Sequence, residues 1–391
     1  MNRALITKTV WVLSFVSLFT DIASEMLYPV MPVYLKSIGF SALIIGVLEG
    51  LAEATAGFSK GYFGNLSDRI GKRVPFIRFG YFLSSVSKPM LAAFTFPIWV
   101  FFSRTLDRLG KGIRTSARDA ILSSESTPET KGRVFGLHRA MDTAGAMIGP
   151  LFALFFLIGH PDNFKSLFLI AFIPGLIAVS LSFLLKEKIY QLKPNITGRG
   201  FFSFLTYWKI AGSEYKKLII GLLFFSLINS SDIFLLLMIK QIGYTNTEVI
   251  AAYIFYNFIY AVTSYPMGKL ADKLGLKNIF IFGLILFAIV YSGMAFQPSL
   301  FIIFILFLIY GIYASATESV SKAWISNIVN KSDTATAIGF YTGFSSVFTL
   351  FASIIAGWLW SSFFPSLTFI FSAVASVLIA LYLKIIFNKN R

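Results

Sequence analysis

Gly64-Asn-Leu-Ser-Asp-Arg-Ile-Gly-Lys-Arg73 is a compact charged stretch between two long apolar runs. A weaker copy, Gly268-Lys-Leu-Ala-Asp-Lys-Leu-Gly-Leu-Lys277, begins 204 positions later. Lys36-Ser-Ile-Gly-Phe-Ser41 and Lys240-Gln-Ile-Gly-Tyr-Thr245 are separated by the same offset. Two unrelated short motifs sharing one offset mark a tandem duplication, so the fold is read as one unit used twice.

Composition places that unit in a bilayer. Of 391 residues, 56% are hydrophobic and 13% charged, against roughly 25% charged in soluble domains. Apolar runs of about 20 residues, the length a helix needs to cross the hydrocarbon, recur from end to end. The formal charge of +16 invites a nucleic-acid reading, but basic residues placed between spans follow from the positive-inside rule. No nucleic-acid partner is expected. The chain has no cysteine, which excludes disulfides and thiolate metal sites. Its basic, apolar N-terminus continues through Asp21 and Glu25 without a small-residue cleavage pattern and reads as a first span.

Twelve spans are predicted. Six lie near 10–35, 42–62, 75–93, 95–113, 133–158 and 165–185, and six near 216–239, 246–268, 277–295, 299–324, 334–361 and 365–386. The expected domains are an N-terminal half over 1–185, a polar linker over 186–217 and a C-terminal half over 218–391. With the N-terminus inside, the inner loops collect Arg69, Lys72, Arg73, Arg78, Arg114, Arg118, Lys131 and Arg133, and the linker adds more. That asymmetry puts both termini in the cytoplasm. Each charged loop then follows the second span of its half and faces the same side, which gives parallel six-helix repeats.

On these residues the chain resembles the major facilitator superfamily of transporters over essentially its whole length. Gly64 to Arg73 is similar to the superfamily's signature loop between helices 2 and 3, and Gly268 to Lys277 to the degenerate loop between helices 8 and 9. Glu25-Met-Leu-Tyr-Pro29 and Asp107-Arg-Leu-Gly-Lys-Gly-Ile-Arg114 look similar to a subgroup of prokaryotic permeases, which leaves the substrate unassigned. The resemblance implies an all-α membrane fold of two pseudo-symmetric halves, with substrate at the midplane and alternating access. It also implies that the signature loop latches the cytoplasmic helix ends in the outward-facing state. That gating role falls on Gly64, Asp68, Arg69, Gly71 and Arg73, with Asp272 in the copy. The alternative is a topogenic basic loop with a turn, for which Asp68 is not needed.

Four carboxylates stand near mid-span. Asp21 and Glu25 lie four apart on helix 1, and Glu49 and Glu53 repeat the spacing on helix 2. Acids at that depth face a bundle interior or a water-filled cavity, which makes them the proton-coupling candidates. Arg104 on helix 4 is a partner for Asp21 or Glu25; the superfamily's pattern there continues with glutamine and glycine, whereas this chain has Asp107 and Arg108. Those two are candidates for a gate salt bridge, as are Glu318 and Lys322, four apart on helix 10. Gly136, Gly145, Gly149 and Pro150 match the spacing of the superfamily's antiporter pattern on helix 5, with Ala153 and Leu154 replacing its terminal glycine pair. Ordinary small-residue packing is the alternative. His138 could pair with Asp142 at helical spacing.

The second half is chemically different. At the same offset Asp21, Glu25, Glu49 and Glu53 become Phe225, Asn229, Tyr253 and Asn257. Tyr253, Tyr256, Asn257 and Tyr260 form a face able to stack and hydrogen-bond an organic ligand, with Asn229 and Asp232 as further binding candidates.

The expected function is secondary active transport of a small organic compound across a bacterial cytoplasmic membrane, by proton-coupled export. Proton-coupled import of an anionic or amphipathic metabolite, such as a carboxylate siderophore, is the alternative, with Arg104 and Lys88 as anion partners. A membrane enzyme lacks a nucleophile-base pair, metal cluster or phosphate loop, and a channel does not need two gating loops. The expected partners are the small-molecule substrate, protons and the lipid bilayer; the protein is expected to be a monomer with no cofactor and no metal, driven by the proton gradient.

Overall fold

A computed structural model describes residues 6–28, 30–40, 42–160, 163–188 and 202–388. Fifteen α-helices follow in order among the described residues: α1 (Lys8–Glu25), α2 (Met31–Ser37), α3 (Ala42–Ile70), α4 (Val74–Ala93), α5 (Pro97–Ser124), α6 (Lys131–Gly159), α7 (Phe164–Ser182), α8 (Tyr207–Ile210), α9 (Ser213–Ile228), α10 (Ile233–Ile242), α11 (Asn246–Leu274), α12 (Leu276–Ala295), α13 (Leu300–Ile328), α14 (Thr334–Ser362) and α15 (Pro365–Asn388). No strand occurs among the described residues. Among the described residues, seven segments are long and apolar enough to cross a membrane by length and composition, including Leu276–Ala295, Leu300–Ile328 and Pro365–Phe387. In the first half α5 carries Arg104, Asp107, Arg108 and Lys111, so charge dilutes its apolar signal. Phe155, Ile158 and Phe301 lie largely exposed on outward faces, as lipid-facing positions do.

The duplication is written into the backbone. Four glycines with positive φ stand among the described residues, Gly39, Gly71, Gly243 and Gly275. They form two pairs at the 204 offset read from the repeated motifs. Gly71 (φ 69°) and Gly275 (φ 93°) make the turns that close the two charged loops, a left-handed conformation that glycine adopts without a Cβ penalty.

Two predicted spans are broken, and at equivalent places. The first, expected over 10–35, leaves the helix after Glu25 and resumes at Met31, with Pro29 in the intervening sequence. The seventh, expected over 216–239, ends at Ile228 and resumes at Ile233 after Asn229-Ser-Ser-Asp232. Proline disfavours helix in the residue before it, and consecutive Asn, Ser and Asp compete for backbone hydrogen bonds. Freed backbone groups at the second break find side chains: Ser353 Oγ accepts from Ser231 N (3.2 Å), and Ser372 Oγ donates to Ile228 O (3.1 Å). Such satisfaction is what permits an irregular backbone at membrane depth. The first break is packed by Met26, Leu27, Tyr34, Leu91, Leu167 and Phe168.

Contacts divide the chain into two compact units. One takes Met1–Glu125, Met141–Ile210 and Asn330–Gly343; the other takes Ser126–Ala140, Ala211–Val329 and Phe344–Arg391. They follow the sequence halves except that the first turns of α6 and α14 are exchanged. Of the predicted linker, 189–201 lie outside the described residues, while Ser203–Thr206 form a 3-10 turn leading into α8.

Candidate functional site

The two charged loops each place a carboxylate on the first turn of a helix. In the first unit Asp68, in the last turn of α3, accepts from Thr336 N (2.7 Å) and Thr336 Oγ1 (2.9 Å) at the start of α14. Its other oxygen accepts from Arg73 (3.0 Å), which also donates to Ala120 O (3.2 Å) and Lys331 O (2.9 Å). In the second unit Asp272 accepts from the backbone of Gly132 (2.7 Å) and Arg133 (3.1 Å) and from Arg133 Nε (2.8 Å), at the start of α6. Residues 68 and 272, like 132 and 336, stand 204 apart. In both units an acid satisfies first-turn N–H groups at the positive end of a helix dipole. Gly64 permits this approach: a Cβ there would sit 2.5 Å from Ala335 O.

Asp68 lies beyond the apolar stretch 42–62, and burial pushes its carboxyl up to about 6 against the pull of Arg73 and the Thr336 donors. Its ion-pair partner is Arg73, five residues on. Glu187 completes the junction by accepting from Arg73 N (3.1 Å) and Val74 N (2.8 Å), the first amides of α4.

The N-terminal acids sit at the α1–α6 contact. A Cβ at Gly145 would lie 2.6 Å from Leu18 O and 2.9 Å from Asp21 Cβ, and one at Gly149 would lie 2.7 Å from Ile22 O. Backbones this close need small residues. One turn earlier on both helices, the Ser17 hydroxyl donates to Asp142 and accepts from Arg118 (3.1 Å), which also pairs with Asp119 (3.0 Å). Asp21 and Asp142 are therefore neighbours on successive rungs, with Lys111, Glu25 and Arg114 as the other charges acting on Asp21. The structure brings Asp142 to Ser17, across 125 positions. Gly136 lies elsewhere, in the second unit against Ser264 O.

Arg104 lines a narrow crevice with Ser24, Leu27, Ser87, Lys88, Leu91 and Asp107. Lys88, 2% exposed, pairs with Asp107 (2.7 Å) and donates to Ser24 Oγ (3.1 Å). Asp107 thus takes part in a buried ion pair with Lys88 inside the first unit. The side chains of Glu49 and Glu53 lie outside the described residues.

In the second unit Asp232, at the α9–α10 break, accepts from Tyr310 Oη (2.6 Å). Tyr310 stacks at a tilt on Tyr256 (4.9 Å between ring centroids) and Tyr313 (5.1 Å), with Tyr291 at 6.4 Å. Tyr253 and Tyr260 continue the series on α11, 6.3 and 5.9 Å from Tyr256. Asn257 is turned back, donating to Tyr253 O (3.0 Å). Tyr291 and Ser230 are buried beside Tyr310 and within reach of each other. Glu318 forms an ion pair with Arg139 of α6, whose guanidinium also donates to Tyr260 Oη and lies 5.0 Å over that ring. Tyr291, Tyr310 and Tyr313 carry only the ordinary aromatic signal of an apolar span, and the 78 residues between Asp232 and Tyr310 leave no periodic trace in one sequence.

The family model described as Major Facilitator Superfamily matches residues 13–255 and 218–391. An uncharacterized MFS-type transporter of Methanocaldococcus jannaschii is 34% identical, over 98% of this chain and 96% of that one. The multidrug resistance protein MdtH of Edwardsiella ictaluri is 30% identical over a shorter stretch, 30% of this chain and 29% of its own. Among solved structures, the human organic anion transporter MFSD10 has a TM-score of 0.82 at 14% identity, covering 96% of this chain and 98% of that one.

Proposed function

The chain belongs to the major facilitator superfamily and is a membrane transporter, and from that premise we propose that it exports a small organic compound from the cytoplasm in exchange for protons. The observation that carries the reading is the α1–α6 contact. There the glycines of the antiporter-like pattern, Gly145 and Gly149, lie against the backbone of α1 beside Asp21 and Glu25. A helix associated with antiport and the acids suited to carry the proton form one interface, so protonation of those acids acts directly where the two helices meet. The chain's own groups divide the work: Asp21 and Asp142 take up and release protons, Ser17 and Arg118 position Asp142, and the tyrosines around Asp232 receive the organic substrate. Both termini are placed in the cytoplasm and the protein works as a monomer in the cytoplasmic membrane.

Import of an anion is the weaker reading. It relies on Arg104 and Lys88, and Lys88 is held by Asp107 and Ser24.

The reading is tested in proteoliposomes with a labelled panel of cationic, neutral and anionic organic compounds. With the lumen acidified, at least one compound accumulates saturably and its accumulation collapses with a protonophore. A panel in which no accumulation responds to the pH gradient overturns proton coupling.

A further inference from the structure

Asp232 is placed as few membrane carboxylates are. Among the described residues it has no ion-pair partner, and its side chain receives one hydrogen bond, from the Tyr310 hydroxyl. The nearby cation is committed elsewhere, because Arg139 is held by Glu318 and Tyr260. Although Asp232 is the N-cap of α10, it makes no side-chain capping bond to that helix.

Around this carboxylate stand the faces of Tyr256, Tyr310 and Tyr313, within 4.9 to 5.1 Å of one another in succession. Tyr291 and Ser230, 0% and 4% exposed, stand beside the same carboxylate and within reach of each other, so the cluster is polar at its edge and aromatic on its faces.

We propose that this cluster recognises an organic cation, a substituted ammonium whose charge rests beside Asp232 and whose apolar body lies against the tyrosine faces. The chemistry follows from both features together. A carboxylate in a low-dielectric site pairs strongly with one positive charge, and aromatic faces attract an ammonium through their quadrupoles while tolerating varied hydrocarbon shape. An anion would meet the charge of Asp232, and Arg139, the cation that acts on it, is already held by Glu318 and Tyr260. A neutral ligand would leave the carboxylate uncompensated. The proposal rests on the transporter reading of the same cluster and narrows it by charge.

The test uses the full chain, purified in detergent, and radiolabelled benzyltrimethylammonium in a scintillation proximity binding assay. Saturable binding is expected. The uncharged isostere neopentylbenzene and the anion benzenesulfonate should each compete at least tenfold more weakly than unlabelled cation. Asp232→Asn should weaken binding at least tenfold, and Asp232→Glu, which keeps the charge, should stay within threefold of the parent. Absent binding of the cation, equal competition by the isostere, or unchanged affinity in Asp232→Asn overturns the proposal. If Asp232→Asn fails to elute as a single species on gel filtration, the competition series on the parent protein decides alone. The two readings fail separately. Gradient-driven accumulation of a neutral or anionic compound without cation binding removes the charge assignment and leaves the exporter; cation binding with no response of accumulation to pH does the reverse.

Discussion

Asp68 is the residue at which position and charge are most tightly tied. It accepts from Thr336 N, Thr336 Oγ1 and Arg73, and hydrogen bonds to charged groups contribute about 1.5–3 kcal/mol each. Asp68→Ala should therefore loosen the α3–α14 junction by at least tenfold in its opening equilibrium. The native chain has no cysteine, so a single Ser67→Cys, at a position that is fully buried, reports opening by its maleimide labelling rate, expected to rise at least tenfold in the Asp68→Ala background. An unchanged rate would leave the junction without a role as a latch. The same residue gives a pH prediction. Its buried carboxyl titrates near 6, above the exposed value of about 3.9. The folded form therefore holds more protons between those values, and its contribution to stability is full below about 3.9 and lost as pH rises through 6. The melting temperature of the parent, relative to Asp68→Asn, should rise as pH falls from 7.5 to 5; a constant difference would mean that Asp68 does not titrate there.

At the scale of elements, the α1–α6 packing sets the next expectation. Any side chain at Gly149 meets Ile22 O and Met26 N, both at 2.7 Å from a Cβ, and both atoms are backbone, which cannot rotate away. Gly149→Ala should cost about 1–3 kcal/mol through overpacking, read as a lowered melting temperature, whereas Gly159→Ala, with open space around it, should not. Equal effects at the two sites would remove the argument from contact. Helix existence and the repeat were legible in the sequence, because a bilayer demands long apolar runs and the offset recurs in two motifs. The breaks at 26–30 and 229–232 also left a mark, in Pro29 and in Asn229-Ser-Ser-Asp232. What stayed hidden was pairing. Arg139 meets Glu318, and Ser17 meets Asp142 across 125 positions; such contacts depend on which helix faces which, whereas helical spacing within one element speaks only to pairs on that element.

For the whole molecule, the division of chemistry has a kinetic signature. The first unit holds Asp21, Asp142, Arg118 and the Lys88–Asp107 pair, and the second holds Asp232 and the tyrosines. Exchange of labelled for unlabelled substrate needs only substrate-bound reorientation, whereas under the proposed antiport accumulation up a gradient also needs a proton carried on the opposite stroke. Asp21→Asn and Asp142→Asn should therefore retain counterflow within about threefold while losing accumulation driven by pH. Tyr310→Phe should behave the other way. It removes the hydrogen bond to Asp232, so apparent KM should rise about tenfold, in the range expected when a buried carboxylate loses its donor, while the ratio of accumulation with and without the gradient is kept at saturating substrate. The two phenotypes are separable in one proteoliposome assay run at several substrate concentrations. Loss of counterflow in both acid variants, with the protein still monodisperse, would place substrate binding in the first unit and dissolve the division.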